Sequence, residues 1–191
     1  MSKHRILAVV GSTASGKSAL ALALAERLNG EIVSCDSMQI YRRMDIGTAK
    51  PTEEERKRVP HHLIDVVEPD GSFSCADYVS LAAEAIEDCA TRGKLPIVCG
   101  GTGLYLDALL RKNDLEPMST DEKVRQALWE IAETRGAEAL WQRLKEVDPE
   151  SAEATHPNNV KRVVRALEIY EVCGVTKTEL DRRSRTGGER Y

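Results

Sequence analysis

Gly11-Ser12-Thr13-Ala14-Ser15-Gly16-Lys17-Ser18 is a complete G-x-x-x-x-G-K-[ST] phosphate-binding loop. The apolar run before it, Ile6-Leu7-Ala8-Val9-Val10, is the length of one buried strand. Ala19 to Leu28 after it is rich in Ala and Leu, both strong helix formers. Strand, loop and helix in that order are the context the motif requires. Two glycines permit a tight turn whose N–H groups face a polyphosphate, and the helix N-terminus adds partial positive charge. Lys17 is placed to reach the terminal phosphates, and Ser18 to offer its hydroxyl to magnesium.

Strand and helix patterns then alternate. Glu31-Ile32-Val33-Ser34 reads as a second strand. Ser74 to Thr91 reads as a helix, opened by a Ser74/Asp77 capping box and stopped at Gly93. Pro96-Ile97-Val98-Cys99 reads as a third strand, followed by Gly100-Gly101-Thr102-Gly103 and a short helix to about Leu110. This alternation predicts an α/β fold: a mostly parallel sheet flanked by helices, of the P-loop NTPase-like kind. In such sheets the ligand lies beyond the carboxyl ends of the strands, where the Gly11 loop, the Cys35-Asp36 turn and the Gly100 turn converge.

From about Ser119 the pattern is helix after helix. A Ser119/Glu122 capping box begins the first, and Gly136 stops it. Further helices follow over 137–146 and 159–173, with Thr176 and Glu179 capping a last one. Trp129 and Trp141 are expected in the core of this part. The expected organisation is an α/β core over 1–115, an all-helical subdomain over 116–158, and a basic helix over 159–191 that returns to the core.

Composition places limits on partners. The chain has 191 residues, 41% hydrophobic and 30% charged, with a net charge of −4, which is the profile of a soluble globular protein. No apolar run approaches the roughly 18 residues of a membrane span, and no signal peptide precedes the first strand, so no membrane association is expected. Five cysteines without a C-x-x-C pair speak against a disulfide framework or zinc site and for a reducing, cytoplasmic setting. His61 and His62 are adjacent, lack ligand spacing, and read as structural. Residues 156–191 carry eight Lys/Arg against five Asp/Glu, whereas the rest of the chain carries 19 against 26. A basic end on an acidic body permits an anionic macromolecular partner there.

A phosphate loop alone does not separate kinases, ATPases and other phosphate chemistry. The Ile97-Val98-Cys99 strand ends in glycines, without the acidic residue that motor ATPases place there to help hold magnesium. The only carboxylate at a strand's carboxyl end is Asp36, which can serve as a metal ligand, as a general base, or as a turn residue capping local N–H groups. Lys161, Arg162 and Arg165 stand three and four apart, so one helix can present all three to one side. They form either an RNA-binding face or an ordinary solvated one.

Beyond the loop, three more stretches follow in order. They are Asp36-Ser37-Met38-Gln39-Ile40-Tyr41-Arg42-Arg43-Met44-Asp45-Ile46-Gly47-Thr48-Ala49-Lys50-Pro51, then Pro60-His61-His62-Leu63-Ile64-Asp65, then Gly100-Gly101-Thr102-Gly103-Leu104-Tyr105. With them the chain resembles, over essentially its whole length, the tRNA dimethylallyltransferase (isopentenyl-diphosphate:tRNA transferase) family. The resemblance implies transfer of a dimethylallyl group from its diphosphate to the exocyclic N6 amine of the adenosine adjacent to the tRNA anticodon. Diphosphate leaves into the loop of Gly11 to Ser18, assisted by Lys17 and by magnesium on Ser18. Asp36 is the implied base, and Thr102 the implied contact to the adenosine. The implied tRNA contacts are Asp36, Ser37, Met38, Gln39, Thr102, Arg125, Lys161, Arg162, Val163, Val164 and Arg165.

Ser12 stands where the family usually has proline. The family also continues well past residue 191, so the chain is expected to be an N-terminal portion, acting as a monomer. The alternatives are an adenylate isopentenyltransferase acting on a free nucleotide, a P-loop small-molecule kinase, and a noncatalytic phosphate-binding module.

Overall fold

The computed structural model describes residues 4–111, 121–186 and 190–191. They fall into two compact units, Met1–Lys112 with Glu189–Tyr191, and Asn113–Gly188.

The first unit is the α/β layer. Its strands are β1 (Leu7–Val10), β2 (Gly30–Cys35), β3 (His61–His62) and β4 (Leu95–Gly100), all parallel in the order β1-β4-β2-β3. Helices α1 (Lys17–Leu28), α2 (Glu53–Arg58), α3 (Cys75–Thr91) and α4 (Gly103–Leu110) connect and flank them. Every residue of β2 is buried, as expected of a strand covered on both faces. Val9, Ile32, Ile97 and Cys99 from the strands pack with Ala21, Leu22 and Ala25 of α1 in one core cluster. Full burial of a Val, Leu or Ile side chain is worth about 1.5–3 kcal/mol, so this cluster stabilises the docking of α1 on the sheet. The capping box at the start of α3 forms as the sequence predicts: Asp77 N–H donates to Ser74 Oγ at 3.2 Å, and Ser74 N–H to Asp77 Oδ2 at 2.8 Å. Gly93, φ 70°, follows its end. The two-residue β3 and the short α2 have no counterpart in the sequence reading.

The second unit is helical: α5 (Glu122–Arg135), α6 (Ala137–Val147), α7 (Pro149–Glu153), α8 (Val160–Cys173) and α9 (Lys177–Thr186). Leu128, Leu140, Leu144, Val163, Val164 and Leu167 form its core. Ser119 of the expected capping box lies outside the described residues; Asp121 caps α5, accepting from the N–H groups of Lys123 and Val124. Helix α8, assigned from sequence to a separate segment over 159–191, packs within this unit against α5 and α6. Trp141 is part of that packing, its indole donating to Ala152 O and Thr155 O at 3.0 and 2.8 Å. Trp129, by contrast, is 38% exposed, so the expectation that it is core does not hold: its position on α5 faces outward from the Leu128 side.

At the amino-terminal end of β2 a carboxylate is buried. Glu31 accepts hydrogen bonds from NH1 and NH2 of Arg92, at 2.5 and 2.8 Å, and lies 2.7 Å from His62 Nε2 and 3.5 Å from Cys89 Sγ. The Arg92 hydrogen bonds outweigh burial and hold its pKa down to about 2 against an ordinary 4.5. Such a group stabilises the fold fully above about pH 4.5, by roughly 3 kcal/mol, and loses that contribution as pH falls towards 2. Glu31→Gln is therefore expected to lower the unfolding free energy at pH 7 by about this amount and to flatten the decline below pH 4.5. Urea denaturation over a pH series measures both.

Candidate functional site

The phosphate loop runs from the end of β1 to the start of α1. Ala14 and Gly16 take positive φ, 64° and 81°, within it, the kind of backbone alternation that makes an anion-binding concavity. Helix α1 begins at Lys17, two residues earlier than the apolar pattern predicts. Lys17 Nζ donates to Ser12 O at 3.1 Å, folded over the loop it belongs to. The glycine turn after β4 comes close to this loop: a Cβ on Gly101 would sit 3.2 Å from Gly11 O and 4.0 Å from Lys17 Nζ.

Asp36 follows β2 directly. Its Oδ1 accepts the N–H groups of Met38 at 2.8 Å and Gln39 at 3.3 Å, the local turn anticipated as one of its roles. Among the described residues Oδ2 accepts no hydrogen bond, so one oxygen holds the turn and the other is open to chemistry. Thr102 locks the same turn from β4's side. Its N–H donates to Cys35 O at 3.2 Å, and its hydroxyl oxygen accepts Ser37 N–H at 3.1 Å. Thr102 precedes α4 but makes no side-chain cap bond to it. Its hydroxyl proton thus remains available to a ligand beside Asp36.

A cleft of about 490 Å³ lies at the carboxyl ends of β2 and β4. Thr13, Ala14, Gly16, Lys17 and Ser18 line one side of it, and Asp36, Met38 and Gln39 another. Sequence reading thus names the residues that meet there, although Gly11, Ser12, Ser15, Ser37 and Thr102 support the lining without forming it. Met38 is 44% exposed. The Gln39 amide is engaged within the protein, accepting from Ser34 Oγ and donating to Thr48 O and Ala49 O. Cysteine chemistry has no place here, because burial pushes the Cys99 thiol up to about 11 and raises that of Cys35 as well.

A further part of the lining, around Lys50, has no role assigned to it in the sequence reading. Lys50 lines the cleft with its side chain only 4% exposed, and its ammonium donates to Tyr41 O, Asp45 Oδ1 and Asp65 Oδ1 at 2.7, 2.8 and 2.6 Å. Arg56 NH1 completes the group, 2.8 Å from Asp65 Oδ2. Burial works against the Lys50 charge, but its two carboxylate partners raise its pKa above the ordinary value; Asp65 is lowered by Lys50 and Arg56 against its own burial. A lysine and an aspartate 15 residues apart, with no periodic relation, carry no sequence signal for such a pair.

The basic residues of the second unit divide into two kinds. Arg125 and Arg165 both bond Glu168, a carboxylate with no exposure at all: Arg125 NH2 lies 3.0 Å from Oε1, and Arg165 NH1 2.9 Å from Oε2. Val163 and Val164 are core residues, 0% and 2% exposed, so their side chains face the helical interior. Lys161 and Arg162 are exposed.

A parallel α/β unit with a phosphate loop and a carboxylate turn facing one cleft defines a P-loop NTPase-like fold. The comparisons with known proteins specify it further. A family model described as IPP transferase matches residues 39–191, and the chain belongs to that family. It is 49% identical over 170 residues to a tRNA dimethylallyltransferase of Thermoanaerobacter sp. (strain X514), covering 89% of this chain and 54% of that protein. The corresponding protein of Roseiflexus castenholzii is 55% identical over 174 residues, covering 91% and 57%. Among solved structures, the full-length tRNA isopentenylpyrophosphate transferase of Bacillus halodurans aligns at a TM-score of 0.59 with 49% identity, covering 90% of this chain and 57% of that one. A eukaryotic dimethylallyltransferase acting on tRNA aligns at 0.78 with 32% identity, covering 96% and 46%. The chain spans about half the length of the curated relatives it matches.

Removing a side chain that makes charged hydrogen bonds typically costs about 1.5–3 kcal/mol, and Asp65 keeps Arg56 as a partner when Lys50 is lost. Lys50→Met is expected to lower the unfolding free energy of the first unit by roughly this amount, with Lys50→Arg recovering part of it; urea titration followed by circular dichroism measures the difference.

Proposed function

We propose that this chain carries the donor site and the catalytic base of a tRNA dimethylallyltransferase. The observation that carries the reading is Asp36, with one oxygen fixed in its turn and the other open, in the same cleft as Lys17 and Ser18. In the reaction the C–O bond between the dimethylallyl carbon and the diphosphate breaks, and the diphosphate takes the electron pair. A bond forms from the adenosine N6 to that carbon, and the N6 proton passes to Asp36. An aromatic amine is a weak nucleophile, so accepting its proton as attack proceeds is worth about a hundred- to ten-thousand-fold in rate. The loop N–H groups and Lys17, released from Ser12 O, stabilise the charge that develops on the leaving group without any phosphoryl transfer. Thr102 positions the adenosine through its hydroxyl, and the amine reaches the cleft only if the base leaves its stack.

Magnesium fits the donor set. Ser18 offers a hard oxygen ligand on the cleft wall in the first turn of α1, and this ion needs few protein ligands because it keeps waters and takes phosphate oxygens. Bound there, it would neutralise the diphosphate as it departs. In the second unit the exposed Lys161 and Arg162 are the side chains best placed for the RNA backbone. Arg125 and Arg165 contribute from their fixed positions around Glu168, and any share of Val163 and Val164 in binding comes through their backbone. No helix of the described residues is long and apolar enough to cross a membrane; the cysteine usage and the tRNA substrate of the proposed reaction support a cytoplasmic setting, and we take the chain to act as a monomer.

Radiolabelled dimethylallyl diphosphate offered with magnesium to unmodified tRNA, AMP and ATP in separate reactions tests the assignment. Label is expected in tRNA alone; label in AMP or ATP would move the activity to free nucleotides. Asp36→Ala is expected to reduce transfer at least a hundredfold while diphosphate binding persists.

A further inference from the structure

Ile46 is the most exposed large apolar residue among those described, at 98%. A single exposed isoleucine is ordinary on a mobile surface. Here the backbone beneath it is pinned. Thr48 Oγ1 donates to Met44 O at 2.6 Å, closing a five-residue turn with Ile46 at its apex. Lys50 ties the base of that turn to Tyr41 and Asp65, and reaches Asp45 next to the apex. The Gln39 amide holds Thr48 O and Ala49 O from the other side. Arg43 and Ala49 flank the turn with φ of 61° and 50°, a conformation that L residues adopt only where the surroundings enforce it, and Gly47 takes 78°. Gly47 and Thr48 line the cleft that contains Asp36, so the apolar tip stands at the rim of the site where the amine must arrive.

We infer that Ile46 is a preorganised wedge for RNA: it enters the anticodon-loop stack beside the target adenosine and fills the space the extruded base vacates. The inference rests on the functional reading above. An apolar side chain inserted between bases compensates lost stacking without needing a hydrogen-bond partner, and a rigid turn loses little entropy on insertion. The closed turn, the buried lysine that braces it and the position next to the cleft are what a wedge requires and what a passive surface loop does not.

The test uses this chain with an anticodon stem-loop carrying 2-aminopurine in place of the target adenosine, whose fluorescence rises when the base unstacks. Wild-type protein is expected to raise that fluorescence. Ile46→Ser is expected to lose most of the rise and to weaken RNA binding about tenfold, with inorganic diphosphate affinity unchanged, and Ile46→Leu to retain both. Undiminished fluorescence and affinity in Ile46→Ser, or a loss confined to diphosphate binding, would overturn the wedge alone. Failure of the wild-type chain to bind the RNA at all would overturn the functional reading, and the wedge with it.

Discussion

The pairing of β2 with β4 is the constraint on which the site depends. The two strands run in register from Gly30 beside Leu95 to Cys35 beside Gly100. At the last pair the chains approach so closely that a Cβ on Gly100 would lie 1.9 Å from Cys35 O and 2.3 Å from its carbonyl carbon. Only glycine fits there. The close approach is what lets Thr102 N–H reach Cys35 O and Thr102 Oγ1 accept from Ser37, so the turn that holds Asp36 is bound to the turn that follows β4. The same glycine turn passes against Gly11 O, which brings the phosphate loop into the arrangement. One backbone contact thus places the phosphate loop and the Asp36 turn side by side.

How much of this was legible in the sequence follows from the range over which each signal acts. The phosphate loop, the Ser74/Asp77 capping box and the glycine stops at Gly93 and Gly136 are local chemistry, encoded within a few residues, and the structure has them where the sequence puts them. Strands β2 and β4 were readable because parallel strands buried on both faces are continuous apolar runs. Strand β3 was not, because two histidines carry neither apolar period nor length. The Lys50 group and the Glu31 group join residues up to 61 positions apart, and nothing in the spacing of their partners announces them. Site assignments made residue by residue from a family resemblance name a stretch without separating side chain from backbone: Val163 and Val164 lie in an implied stretch with their side chains in the helical core, and the Gln39 amide on the cleft wall is bonded to Ser34, Thr48 and Ala49.

Two of the buried carboxylates, Glu31 and Glu168, show how each unit uses its arginines. Each sits at 3% exposure or less and is neutralised by guanidinium groups that keep part of themselves in water. Around Glu168, Arg125 and Arg165 are thereby held at fixed positions on the helical unit, where a free arginine would sample many rotamers. Preorganised cations lose less entropy on meeting a phosphate than free ones, so a structural ion pair and an RNA-facing role are compatible for the same side chain.

Gly100→Ala tests the central claim most directly, because it adds one methyl group at the single point where β2, β4 and both functional turns meet. Its thermal unfolding midpoint is the measurement. The account predicts a fall of roughly 10 °C, since the strands must separate to admit the methyl and the Thr102 contacts to Cys35 and Ser37 are lost with the register. A midpoint equal to that of the wild type would mean that the close pairing at Gly100 is not what positions the site.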